Sequence, residues 1–267
     1  MEKPALVASD VDGTILGTNE QVSEYTTRAV GRVLADGTPF VLVSGRPPRW
    51  IPRIANAVGA TGYAVCANGA VLYDVGADRV IWQRGISPVR LNDLGKALTT
   101  ALPGSAVAAE RVGARASDIE SFVAEEAYRH AWPDGHDVAP RAEVLGHTAV
   151  KLLVRHVGMT SAEMEAAATA VLGDEFAVTY STNAGLIEVS ERNVTKATGL
   201  ADVAERLGVA AENVIAFGDM PNDIPLLRWV GHGVAMANAH HELLAVADEV
   251  TGTNDQDGVA QVLERWF

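Results

Sequence analysis

Apolar and polar positions fall in blocks along the chain. Leu6, Val7 and Ala8 form a short apolar run that ends in Ser9 and Asp10, as a strand buried on both faces would. Residues 22–36 place Val22, Tyr25, Ala29, Val33 and Leu34 near one helical face, with Ser23 as cap and Gly37 as stop. Residues 38–43 are β-rich and end at Ser44-Gly45-Arg46. Residues 50–58 continue a helix that Pro47-Pro48 can start, and residues 63–67 are a further apolar strand that closes at Asn68-Gly69. Strand, helix, strand, helix, strand predicts right-handed crossovers and a parallel sheet.

From Ala70 the alternation loosens. Residues 71–73 and 80–84 read as a hairpin across Gly76, and 88–102 as a helix. Residues 107–147 mix short strand-like runs with an acidic helix over 119–128, whose run Glu120 to Glu126 reads as a solvated face. Residues 148–155, 176–181 and 186–190 read as strands, and 161–172 as a helix. The regular alternation returns at Val194. A helix over 196–207, capped by Thr195, is followed by strand 214–217, helix 221–229, strand 233–236, helix 240–247, and segments 249–251 and 258–266. This pattern predicts an α/β fold: a doubly wound parallel-sheet core from residues 1–84 and 191–267, with an α+β domain inserted at 85–190.

The composition is that of an ordinary globular protein: 267 residues, 48% hydrophobic and 21% charged. The formal charge of −13 disfavours nucleic acid and anionic membranes as partners. An anionic substrate would need local positive charge. Cys66 is the single cysteine, so an intrachain disulfide is impossible, and its apolar strand makes it an inert core residue. The start Met-Glu-Lys-Pro lacks a signal-peptide pattern, and no apolar run approaches the roughly 20 residues of a membrane span. A cytoplasmic location is expected.

Four polar clusters share one address, the carboxyl end of a short apolar strand. They are Asp10/Asp12, Ser44/Arg46, Asn68 and Asp219/Asn222/Asp223, and Lys196 opens a helix between the third and fourth. Doubly wound sheets bring such ends together at the topological switch point. Asp10 and Asp12 lie two positions apart, Gly13 permits a tight turn, and paired carboxylates call for a cation. His240 and His241, adjacent in sequence, are expected on different helix faces as an exposed pair.

The stretch Asp10-Val11-Asp12-Gly13-Thr14 resembles motif I of the haloacid dehalogenase-like (HAD) hydrolases. Ser44-Gly45-Arg46 resembles motif II, Lys196 motif III, and Gly218-Asp219-Met220-Pro221-Asn222-Asp223 motif IV. The stretch Ala67-Asn68-Gly69-Ala70 and residues 234–239 are similar to the Cof-type branch, which carries an α/β cap of type IIB between motifs II and III. Ala197 and Leu226 depart from that branch's usual Gly and Met, and neither carries a functional group.

The resemblance implies a Mg²⁺-dependent phosphatase acting on a small phosphorylated metabolite, a sugar phosphate first and a nucleotide-like or cofactor phosphate next. Asp10 would be the nucleophile, forming an aspartyl-phosphate, and Asp12 the acid and base. Mg²⁺ would sit on Asp10, the Asp12 carbonyl and Asp219. Lys196, Ser44, the Gly45 backbone and Asn222 would hold the phosphoryl group, with Asp223 behind them and Thr14 bracing the Asp12 turn. Arg46 and Asn68 would face the substrate, joined from the cap by Arg129, His130 and the turn at Asn183. The expected partner is that substrate alone, with no nucleic acid or membrane; monomer and homodimer both stay open. Two other readings remain: a sugar phosphomutase, separated by assaying for isomerised product, and a non-hydrolytic phosphoacceptor, separated by a stable phospho-form without turnover.

Overall fold

The computed structural model describes residues 2–118, 122–128 and 137–267. The chain divides into two compact units, Met1–Trp82 with Thr195–Phe267, and Gln83–Val194.

In the first unit, strands β1 (Leu6–Ser9), β2 (Phe40–Val43), β3 (Tyr63–Cys66), β4 (Val71–Asp74) and β5 (Arg79–Gln83) alternate with helices α1 (Glu24–Ala35) and α2 (Ile51–Val58). The second unit holds α3 (Pro88–Ala101), β6 (Ala106–Glu110), β7 (Phe122–Ala124), β8 (Asp137–Val138), α4 (Arg141–Val144), β9 (Lys151–Arg155), α5 (Ser161–Leu172), β10 (Phe176–Thr179) and β11 (Leu186–Glu191). The chain then returns through α6 (Lys196–Leu207), β12 (Val214–Gly218), α7 (Ile224–Trp229), β13 (His232–Ala235), α8 (His241–Leu244), β14 (Glu249–Val250) and α9 (Gly258–Leu263).

Among the described residues the first unit carries one sheet in the order β14-β13-β12-β1-β2-β3-β4-β5. The pairs from β14 through β3 are parallel, and β4 turns back antiparallel on β3. The expected doubly wound fold is therefore present, and the hairpin at 71–84 extends this sheet. Both neighbours of β1 are laid down on either side of it, so the switch point lies between β1 and β12. All four β1 residues are buried: Leu6, Val7 and Ala8 are apolar, and the Ser9 hydroxyl donates to the Asp10 carbonyl. Leu6 and Ala8, with Val41, Val43, Val65, Val214 and Ala216, pack against Leu200 and Val203 of α6 and Leu226 and Leu227 of α7. Each fully buried Leu or Val contributes about 1.5–3 kcal/mol of transfer free energy. The caps read from sequence are in place: Ser23 accepts from the Thr26 N–H, and Thr195 from the Thr198 N–H.

The second unit is an antiparallel sheet, β10-β11-β9-β6-β7, with β8 added parallel to β7. Here one expectation is corrected. Phe122–Ala124, assigned to an acidic helix, is a strand, because alternating Phe122 and Ala124 join Ala106, Ala108, Tyr128, Leu153 and Leu186 in one apolar cluster. Glu125 is no solvated face residue: it accepts from the Val107 N–H and from Arg141. Residues 119–121 of the expected helix lie outside the described residues.

Candidate active site

Parallel register carries the site. Ser9 pairs with Phe217, and the Asp10 N–H donates to the Phe217 carbonyl at 3.0 Å. This sets Asp10, just past β1, beside Gly218 and Asp219 at the end of β12. The chain then turns through Val11–Ile15, with Asp12 extended (φ −76°, ψ 127°) and Gly13 left-handed at φ +71°. A Cβ on Gly13 would lie 2.2 Å from the Asp219 Oδ2, so only glycine lets the turn come this close.

Lys196, the first residue of α6, is 1% exposed and lies between two carboxylates. Its Nζ donates to the Asp10 Oδ1 at 2.6 Å and to the Asp223 Oδ1 at 2.7 Å. The other Asp223 oxygen accepts from the Asp219 and Met220 N–H groups, each at 3.2 Å. Asp223 therefore spends both oxygens on holding its neighbours. Asp219 accepts from the Thr14 hydroxyl at 3.0 Å.

The electrostatics follow from burial. Desolvation lifts the Asp10 carboxyl well above its ordinary value; Asp223, Asp219 and Asp12 add to this, and Lys196 opposes it. Asp219 is pushed up to about 7 by burial and the Asp223 charge. Burial works against the Lys196 ammonium, but Asp10 and Asp223 outweigh it and hold its pKa above the usual lysine value. Ligand atoms of Asp10, Asp219 and Asp223 lie within 4.8 Å of one another. Three buried carboxylates around one ammonium leave excess negative charge, and hard oxygen donors of this kind suit a divalent cation.

Asp12 stands apart from that cluster. Its extended backbone turns the side chain outward, 56% exposed, where it takes both the Nε (2.9 Å) and an Nη of Arg46. The clustered carboxylates are therefore Asp10, Asp219 and Asp223, and the Asp10/Asp12 pairing expected from sequence is not formed. The Arg46 guanidinium also lies 5.9 Å from the Trp50 ring.

Other expected residues are placed as follows. Ser44 is fully buried, and its Oγ accepts from the Arg46 N–H at 3.1 Å, shaping the turn that contains Gly45. Thr14 braces Asp219 and not the Asp12 turn, because the Gly13 bend swings it towards β12. Asn68 is 3% exposed, and its Oδ1 accepts from the Asn222 Nδ2 at 3.1 Å. Asn183 lies in the second unit, where its Oδ1 accepts from the Ala162 N–H at 3.5 Å, near the start of α5. Arg129 and His130 lie outside the described residues.

Two features escaped the sequence reading. Asn238 donates to the Gly13 carbonyl at 2.9 Å and accepts from the Asn254 N–H, tying down the Asp12 turn. The His240 and His241 rings, expected on separate faces, come within 4.3 Å, because His240 caps α8 from outside the helix.

A family profile described as haloacid dehalogenase-like hydrolase matches residues 7–263. The chain belongs to this family. Among the curated relatives of this HAD hydrolase is a 5-amino-6-(5-phospho-D-ribitylamino)uracil phosphatase of Bacillus subtilis, 28% identical over 282 residues covering 99% of this chain and 98% of the relative. A solved HAD phosphatase from Bacteroides thetaiotaomicron is 25% identical at TM-score 0.79, covering 97% of this chain and 94% of its own. A solved sugar phosphatase of HAD subclass IIB shares the fold at TM-score 0.81 and 19% identity, covering 98% of each chain. The family expected from the motifs is thus the family found. Among the described residues no helix is long and apolar enough to cross a membrane.

Proposed function

We propose that this HAD hydrolase is a Mg²⁺-dependent phosphatase for a small phosphorylated metabolite, with sugar phosphates ahead of nucleotide-like or cofactor phosphates. The observation that carries the reading is the buried Lys196 ammonium shared by Asp10 and Asp223 with Asp219 alongside. The Bacillus relative's named substrate, a phosphorylated ribityl chain on a pyrimidine, spans both substrate classes.

The Asp10 carboxylate attacks phosphorus and forms an aspartyl-phosphate, and the leaving alkoxide departs with a proton. Lys196 opposes the burial that disfavours the Asp10 carboxylate and neutralises phosphoryl oxygens as charge moves onto them. Asp12 is the acid and base, on the exposed side of the turn where a leaving group and water have access. Both of its oxygens are held by the Arg46 guanidinium. The pair must part before Asp12 carries a proton for the first step. Ser44, the Gly45 N–H and Asn222 complete the phosphoryl cradle. Asp10, the Asp12 carbonyl and Asp219 would hold Mg²⁺, which when bound supplies charge neutralisation to the phosphoryl group. Asp223 fixes Lys196 and the Asp219 backbone behind them.

The test is phosphate release from a panel of phosphorylated metabolites by purified protein with Mg²⁺. Selective release, lost in Asp10→Asn and after chelation, is expected. Turnover that survives exhaustive chelation overturns the metal role, and turnover in Asp10→Asn overturns the nucleophile.

A further inference from the structure

The Ala67–Gly69 turn after β3 holds three successive residues in the left-handed region, with φ +49°, +55° and +98°. Two of them are not glycine, and all three are buried. Such a backbone persists only where its surroundings over-determine it. Here they do. The Ala67 N–H donates to the Arg46 carbonyl at 2.9 Å, and the Asn68 N–H to the Ser44 carbonyl at 3.0 Å. On the other side, a Cβ on Gly69 would sit 1.9 Å from the carbonyl oxygen of Thr195, the residue before Lys196. One turn into α6, a Cβ on Gly199 would sit 3.0 Å from the Gly69 Cα, so helix and turn are in close contact. The Asn68 side chain reaches a third loop through Asn222. Asn222 is 6% exposed, and its Oδ1 has no hydrogen-bond partner among the described residues. Its contact with Asn68 is therefore the side-chain hydrogen bond that orients it.

One buried turn thus touches the loop of Ser44 and Arg46, the start of α6 at Lys196, and the loop of Asn222 and Asp223. We propose that Asn68 is a positioning residue and not a substrate contact: its turn sets Lys196 against Asp10 and Asp223, and its side chain orients Asn222. This rests on the phosphatase reading above. Asn68 held this way aligns Asn222 and Lys196 without itself touching the reacting atoms, so its loss should slow turnover more than it weakens binding.

The test compares Asn68→Gly, Asn68→Ala, Asn222→Ala and the double variant Asn68→Gly/Asn222→Ala, with p-nitrophenyl phosphate as probe. Glycine keeps the left-handed backbone accessible and removes only the carboxamide. Asn68→Gly is expected to lower kcat about 10-fold or more with KM within about 2-fold. The double variant should fall short of the product of the two single effects, since the singles share one contact. Asn68→Ala should match Asn68→Gly in kcat per folded molecule and melt at a lower temperature. A wild-type kcat in Asn68→Gly, a change in KM alone, or multiplying single effects each overturns the proposal. A second arm needs no turnover: amide hydrogen exchange in Asn68→Gly should quicken at both 194–199 and 219–223, with 6–9 unchanged. Unchanged exchange at both segments overturns the proposal. Absence of phosphate release by the wild type would fail the phosphatase reading, while the exchange arm still decides the positioning claim.

Discussion

Each unit of this protein buries a lysine, and the two lysines are treated differently. Lys196, in the first unit, sits at the end layer of a parallel sheet with Asp10 and Asp223 on its Nζ and Asp219 beside them. Lys151, in the second, sits within an antiparallel sheet, pairs with Glu188 at 3.1 Å, and lies opposite Glu110 in the strand register. The first arrangement gathers its charges from segments far apart in sequence, at strand ends where no ladder partner competes for them. The second draws them from neighbouring strands, where cross-strand pairing alone brings unlike charges together. A buried ion pair is weak evidence of function, since many are structural. A buried lysine that gathers carboxylates from distant segments at a switch point is stronger evidence, because no strand register accounts for their meeting.

The largest effect that would test this contrast is at Asp10. Asp10→Asn should cut phosphate release at least ~10³-fold with an unchanged circular dichroism spectrum. Next, Lys196→Met should lower kcat by about 10²–10³-fold. Lys151→Met should instead show itself in denaturant unfolding, with a loss of about 3–5 kcal/mol from the uncompensated Glu188. If Lys151→Met left stability intact and raised KM, the second lysine would be a binding group and the contrast would have to be redrawn.

A pH effect comes third. The Asp219 pKa is raised, so between its ordinary value and about 7 the folded protein holds a proton that the unfolded chain has lost. The stability of the metal-free protein should therefore fall as pH rises through this window. Added Mg²⁺ should raise the melting temperature at pH 8 and do little at pH 5, which thermal melts at both pH values would show. The smallest effect concerns Cys66, whose thiol is buried and pushed up by desolvation. The native protein should resist a thiol reagent, and modification should appear only with global unfolding.

How far the sequence could be read depended on the reach of each interaction. The strands and helices of the first unit follow from local periodicity, and so do the caps Ser23 and Thr195. The site address followed from strand ends, and the choice of Lys196 from the motif around it. The partners of Arg46, Thr14 and Asn68 were not legible. Each depends on a backbone turn, at Asp12, Gly13 or Ala67, whose direction no periodic pattern encodes. The strand at Phe122 was missed because its acidic neighbours suggested a solvated helix, whereas Glu125 is engaged by Arg141, a partner 16 residues away.

The order of the first sheet has a further consequence, for synthesis on the ribosome. β1 emerges early, yet its neighbour β12 follows only after the whole of the second unit. Asp10 and Lys196, 186 residues apart, cannot meet before then. Until that moment one edge of the founding strand is open to foreign strands. A nascent chain stalled within Gln83–Val194 should thus depend on a holding chaperone, while one that has emerged through α9 should not.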